Sequence, residues 1–120
     1  MRHAFPLLLL LLGSTAATAA EAPPAAPVEV HLREYAVEMP KTLPAGPTTF
    51  VVHNDGKKFH SFKIEGPGIA EILATPVPPQ EKGELKVTLQ PGEYKVYCPV
   101  GSHELKGMTR KLVVTAKQGG

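Results

Sequence analysis

One short stretch of the 120-residue chain carries three soft metal donors: Cys98, His103 and Met108, each separated from the next by four residues. A thiolate, an imidazole nitrogen and a thioether together suit copper better than harder ions. The stretch runs Tyr97-Cys98-Pro99-Val100-Gly101-Ser102-His103-Glu104-Leu105-Lys106-Gly107-Met108, and a tight loop of this kind can turn all three side chains to one point. A trigonal His2Cys centre with a weak axial Met is built for one-electron chemistry, and it needs a second His from elsewhere in the chain. His60 is the best placed, because it opens an alternating run and follows the exposed loop Asp55-Gly56-Lys57-Lys58.

Taken singly, each residue has a plainer explanation: Cys98 as a small buried apolar residue, Met108 as core filler, His103 as a surface residue. Their coincidence shifts the balance. With 5 His and 3 Met in the chain, a His and a Met near these offsets from the only Cys arise by chance about once in a hundred. His31 and His53 lie inside strand patterns and read as ordinary strand residues, and His3 falls in the N-terminal stretch that reads as a signal peptide. Asp55 is the only Asp and the Glu residues are scattered, so a carboxylate acid/base pair is poorly supported. A Cys98–His103 nucleophile–base pair would leave Met108 and His60 unexplained. No catalytic residues are expected.

The rest of the chain must position these groups. It has 13 Lys+Arg against 11 Asp+Glu, a net charge of +2, which excludes a strongly basic nucleic-acid footprint and a chain too charged to fold. The length allows one domain. With 13 Pro and 11 Gly, the composition favours short segments joined by turns over a helical bundle.

Residues 1–20 read as a secretory signal peptide: a basic start at Arg2, the apolar run Leu7 to Leu12, and Ala17-Thr18-Ala19 as the cleavage signal. The apolar run is too short to span a membrane. Residues 21–27 are then a Pro/Ala-rich leader, 28–116 the folded domain and 117–120 a flexible tail. Removing residues 1–20 takes away Arg2 and leaves 12 basic against 11 acidic side chains. Export, most simply to the periplasm, makes the lone Cys98 informative, because an unpaired thiol in an oxidising compartment is buried, bonded or a liability.

Val28, Val30 and Leu32 alternate with polar residues, the mark of a half-buried strand. Further strands are expected over Thr48–Asn54, His60–Glu65 and Met108–Thr115. Leu85, Val87 and Leu89 share one face, as do Tyr94, Val96 and Cys98, and Pro91-Gly92 between them predicts a hairpin. Ile69–Thr75 fits either a helical turn or a short strand. About seven to eight short strands with Gly/Pro turns make an all-β sandwich or barrel.

With these residues in hand, the sequence resembles the cupredoxins, the small blue (type 1) copper proteins, over about Val28 to Thr115. Thr42-Leu43-Pro44-Ala45-Gly46 followed by Thr49-Phe50-Val51-Val52-His53-Asn54 is similar to the family's early strand pair. Asn54 stands where the family often has an Asn ahead of its first His ligand. Leu89-Gln90-Pro91-Gly92-Glu93-Tyr94-Lys95-Val96-Tyr97-Cys98 is similar to the strand leading into the copper loop. The loop spacing is nearest the rusticyanin and phytocyanin pattern, while Arg110 occupies a position where many members have Gly.

The resemblance implies a Greek-key sandwich, one copper ion cycling between Cu(I) and Cu(II), and His60, Cys98, His103 and Met108 as ligands with Met108 axial. It also implies that the backbone N–H of Ser61 points at the Cys98 sulfur and that His103 lies near the surface. The expected role is a one-electron carrier. The alternative is a copper-handling protein that uses the same site without a redox cycle, and a metal-free interaction module would leave the spacing unexplained. Pro99, Val100, Gly101, Leu105 and Gly107 would form an uncharged docking patch, ringed by Lys57, Lys58 and Lys106. Redox proteins are the expected partners, an acidic one if the lysines steer it rather than merely keep the surface soluble. No nucleic-acid partner and no membrane span after cleavage are expected, and the protein should be a monomer.

Overall fold

Alternation of apolar and polar residues sets the architecture in the computed structural model, which describes residues 26–116 together with Gly13. The expected signal peptide, most of the leader and the C-terminal tail lie outside the described residues. The strands are β1 (Val28–Arg33), β2 (Ala36–Glu38), β3 (Thr42–Pro44), β4 (Gly46–Asn54), β5 (Lys63–Gly66), β6 (Ile69–Ile72), β7 (Lys82–Leu89), β8 (Gly92–Tyr97) and β9 (Thr109–Thr115). They form a four-stranded sheet in the order β2-β1-β4-β7 and a five-stranded sheet in the order β3-β9-β8-β5-β6. Both sheets are mixed, with β1 parallel to β4 and β3 parallel to β9.

The inward residues are those that the period-2 patterns select. Val30, Leu32, Phe50, Val52, Leu85, Val87 and Leu89 come from the first sheet, and Leu43, Ile64, Tyr94, Val96, Leu112 and Val114 from the second. Phe50 and Phe62 meet across the core with ring centroids 5.3 Å apart and planes at 52°, a tilted contact that aromatic rings favour. The all-β sandwich is therefore as expected, with short β2 and β3 bringing the strand count among the described residues to nine.

Three local expectations are corrected. β7 and β8 do not form a hairpin: β7 pairs with β4, and β8 with β5 and β9 in the opposite sheet. Their apolar faces look at each other across the core instead of lying side by side. Pro91 has no N–H to give a ladder, and Gly92, at φ +145°, takes a conformation that side chains resist while its position packs on Pro67. The Tyr94 hydroxyl fixes the crossover, donating to the Gln90 carbonyl at 2.8 Å and accepting from its N–H at 2.9 Å.

β3 and β4 are likewise consecutive strands in different sheets and do not pair with each other. The strand expected over His60–Glu65 begins only at Lys63. His60 makes an isolated bridge to Val77, and the chain turns there toward Cys98. Ile69–Ile72, ambiguous in sequence, is the edge strand β6, and Arg110 lies within β9 opposite Val96.

Candidate metal centre

Two pieces of chain meet at one end of the sandwich. The first is the segment between β4 and β5. Asn54, at the end of β4, is 1% exposed, and its side-chain amide donates to the carbonyls of Lys58 and Val77 while its oxygen accepts from Gly56 N–H. This clamps the loop. His60 is then held by backbone hydrogen bonds to Val77, with its ring fully buried.

The second piece is the β8–β9 connection. Its base is closed by Cys98 N–H donating to the Met108 carbonyl at 3.0 Å. Within the loop, His103 N–H donates to Val100, Gly107 N–H to Glu104, and Met108 N–H back to the His103 carbonyl. Gly107, at φ +120°, allows this winding, and a Cβ there would sit 3.0 Å from the Tyr35 carbonyl oxygen. Lys95, on β8, pairs with Glu104 in the loop.

The side chains converge as follows. Nδ1 of His60 lies 3.9 Å and Nδ1 of His103 3.7 Å from Sγ of Cys98, and the two rings are 5.0 Å apart at 60°. A planar three-coordinate ion with bonds of about 2.3 Å to sulfur and about 2.05 Å to nitrogen sets N and S about 3.8 Å apart. Both observed N–S separations match that value, and the three donor atoms lie within 4.8 Å of one another. Met108 is fully buried next to Cys98 in the backbone ladder. Cys98 is also fully buried, and His103 is 9% exposed.

Around the donors, Ser61 N–H donates to the Cys98 sulfur at 3.4 Å, as the family resemblance implies. Burial pushes the His103 imidazole below its ordinary pKa, with His60, Lys58 and Lys106 adding to the effect and Glu34 opposing it. Its neutral, ligating form is thereby favoured.

One participant was not found by sequence reasoning. Glu34, in the turn after β1, places Oε1 3.1 Å from Nε2 of His60 and accepts the N–H groups of Lys57 and Lys58 at 2.8 and 2.7 Å. Partial burial acts to raise its pKa, but hydrogen bonds from the Lys58 and Lys57 backbones and from His60 outweigh it and bring it down to about 2. With Nδ1 of His60 turned to the sulfur, Nε2–H is the group that donates to Glu34.

Tyr35 follows. Its ring lies 5.3 Å from that of His103 at 58°, and its hydroxyl is within 3.2 Å of Lys58 Nζ and 3.4 Å of Lys106 Nζ. Those hydrogen bonds, Lys58 first, hold its pKa below the ordinary value. The other histidines, His31 and His53, lie on β1 and β4 outside this cluster. Leu105 of the loop is 91% exposed.

Known proteins share this arrangement of strands. Auracyanin B superposes with a TM-score of 0.65 at 20% identity, over 80% of this chain and 93% of that one. A dithionite-reduced auracyanin from the photosynthetic bacterium Roseiflexus castenholzii gives 0.58 at 18%, over 72% and 94%. A copper-containing nitrite reductase from Thermus scotoductus gives 0.57 at 22% over 82% of this chain, which spans only 24% of that longer one. No curated protein matches the sequence. Residues 4–114 match the family model described as Cupredoxin-like domain. A two-sheet sandwich with His, Cys, His and Met gathered at one end agrees with that match across nearly the whole chain, and the protein belongs to the cupredoxin-like family.

Proposed function

We propose that this protein is an exported one-electron carrier that holds a single copper ion with His60, Cys98, His103 and Met108. The observation that carries the reading is the approach of both Nδ1 atoms to the Cys98 sulfur at 3.9 and 3.7 Å. Copper held there supplies a one-electron change between Cu(I) and Cu(II).

The chain's own residues do the rest. His60 and His103 present their Nδ1 atoms, Cys98 a sulfur that accepts the Ser61 N–H, and Met108 a thioether from the strand edge. The two pieces of chain are tied down by the Asn54 hydrogen bonds and by the Cys98–Met108 backbone bond. Ligand positions held this firmly move little when the charge of the centre changes.

His103 is the outermost of the four, so the electron enters and leaves beside it, with Leu105 and the rest of the loop as the docking patch. The reading also draws on the names of the structural neighbours, one an auracyanin reduced by dithionite and one a nitrite reductase that contains copper. Export to the periplasm rests on residues 1–20 of the sequence, and among the described residues no helix is long and apolar enough to cross a membrane.

Addition of Cu(II) to the purified protein should give an intense visible thiolate-to-copper band, a reversible one-electron couple, and neither in Cys98→Ser. Absence of the band would sink the proposal. A band without a reversible couple would favour copper handling instead.

A further inference from the structure

A second group of metal donors lies on the outer face of the four-stranded sheet, apart from the Cys98 centre. His31 of β1 and His53 of β4 stand opposite each other in the parallel register, with rings stacked 4.7 Å apart and their planes 8° from parallel. Glu29, two residues before His31 on the same face, pairs with Nε2 of His53. Asp55, two residues beyond His53, places Oδ2 2.7 Å from Nδ1 of His31. One ligand atom each from Glu29, His31 and His53 lies within 4.8 Å of the other two.

The packing of the sheet gives no reason for two imidazoles here. Val30, Leu32, Phe50 and Val52 on the opposite face supply the burial, and the outer face is half open, with His31 42% and His53 30% exposed at the side chain. Two histidines with two carboxylates are, however, a familiar donor set for borderline divalent ions.

We propose that Glu29, His31 and His53 bind a divalent transition ion of the Zn(II) or Cu(II) class. Asp55 holds the His31 ring through Nδ1 and leaves Nε2 as the donor, the outer carboxylate arrangement that fixes metal-ligating imidazoles generally. A tetrahedral ion with bonds of about 2.05 Å sets its ligands about 3.3 Å apart. The two rings are stacked nearly parallel, so they must turn to aim both nitrogens at one ion, and their partial exposure leaves room for that turn. Water completes the coordination on the open side. The set has no sulfur, so it selects against Cu(I) and differs in kind from the buried centre. An ion there would also bridge β1 and β4, adding to the ring stacking and the Glu29–His53 pair that already join the two strands.

Zn(II) alone is the probe, titrated calorimetrically into the Cys98→Ser protein so that thiolate binding does not contribute. A single site with micromolar affinity is expected, weakened about tenfold or more in His31→Gln and in His53→Gln. The same titration of the unsubstituted chain, followed by the histidine ring resonances, covers the case in which Cys98→Ser weakens the fold. There Zn(II) should shift the rings of His31 and His53. If both rings stay unmoved, the four side chains are two ion pairs and nothing more, and the proposal is overturned. A Zn(II) affinity in either histidine variant equal to that of the Cys98→Ser parent overturns it as well. Neither result bears on the visible band that tests the Cys98 centre.

Discussion

Glu34 carries the formal charge that touches a ring of the proposed copper centre, through the hydrogen bond from Nε2 of His60. A negative charge there favours the more positive metal state. Glu34→Gln keeps an oxygen acceptor and removes the charge, so the midpoint potential should rise by about 30–60 mV, where ~59 mV is a tenfold change in relative affinity for a one-electron couple. Voltammetry of the copper-loaded variant checks this, and a fall in potential would contradict it.

Glu34 also shows where sequence reading stops at this scale. Cys98, His103 and Met108 were legible because one loop carries them at regular spacing, and His60 because an exposed loop precedes an alternating run. Glu34 arrives from 26 residues before His60, through the parallel pairing of β1 with β4. Nothing local in Arg33-Glu34-Tyr35 marks that meeting.

Among the strands, β4 carries Phe50 and Val52 on the inner face of its sheet. Phe50 is fully buried against Phe62, so Phe50→Ala should cost about 3–5 kcal/mol of stability by lost burial and the cavity left behind. Urea unfolding of the metal-free protein reads it directly. In the other sheet, Lys63 on β5 and then the Tyr97 hydroxyl on β8 hold the Glu65 carboxyl below its ordinary value of 4.5.

A lowered folded pKa means that the stabilisation is present above the unfolded value and lost as pH falls through the folded one. Glu65→Gln should therefore flatten the decline in stability below about pH 4.5, and leave stability near pH 2 closer to that of the parent. Thermal unfolding across that range measures it. The alternation in β7 and β8 correctly gave which side chains face inward, but period 2 fixes a face and says nothing of which sheet a strand joins. That is why Pro91-Gly92 looked like a hairpin turn while the chain in fact crosses the core there.

For the molecule as a whole, two lysines flank the proposed electron exit beside His103. Lys58 and Lys106 both lie over the Tyr35 ring, at 5.8 and 4.8 Å from its centroid, beside His103. If these lysines steer an acidic redox partner, the association rate should fall as salt rises, and Lys58→Glu with Lys106→Glu should lower it about tenfold at low salt. Stopped-flow electron transfer tests this, and a rate independent of salt would assign the lysines to solubility alone. The near-neutral total charge could not have located this edge, since it is made by residues distant in the chain that the fold brings together.

The backbone bond from Cys98 to Met108 has a wider consequence. It closes the loop at a neck between two adjacent strands, so residues 99–107 hang from the sandwich as a unit. Changes in the length of that segment on either side of His103 would then act on the site and not on the core. The scaffold and the instrument it carries can then evolve on separate schedules.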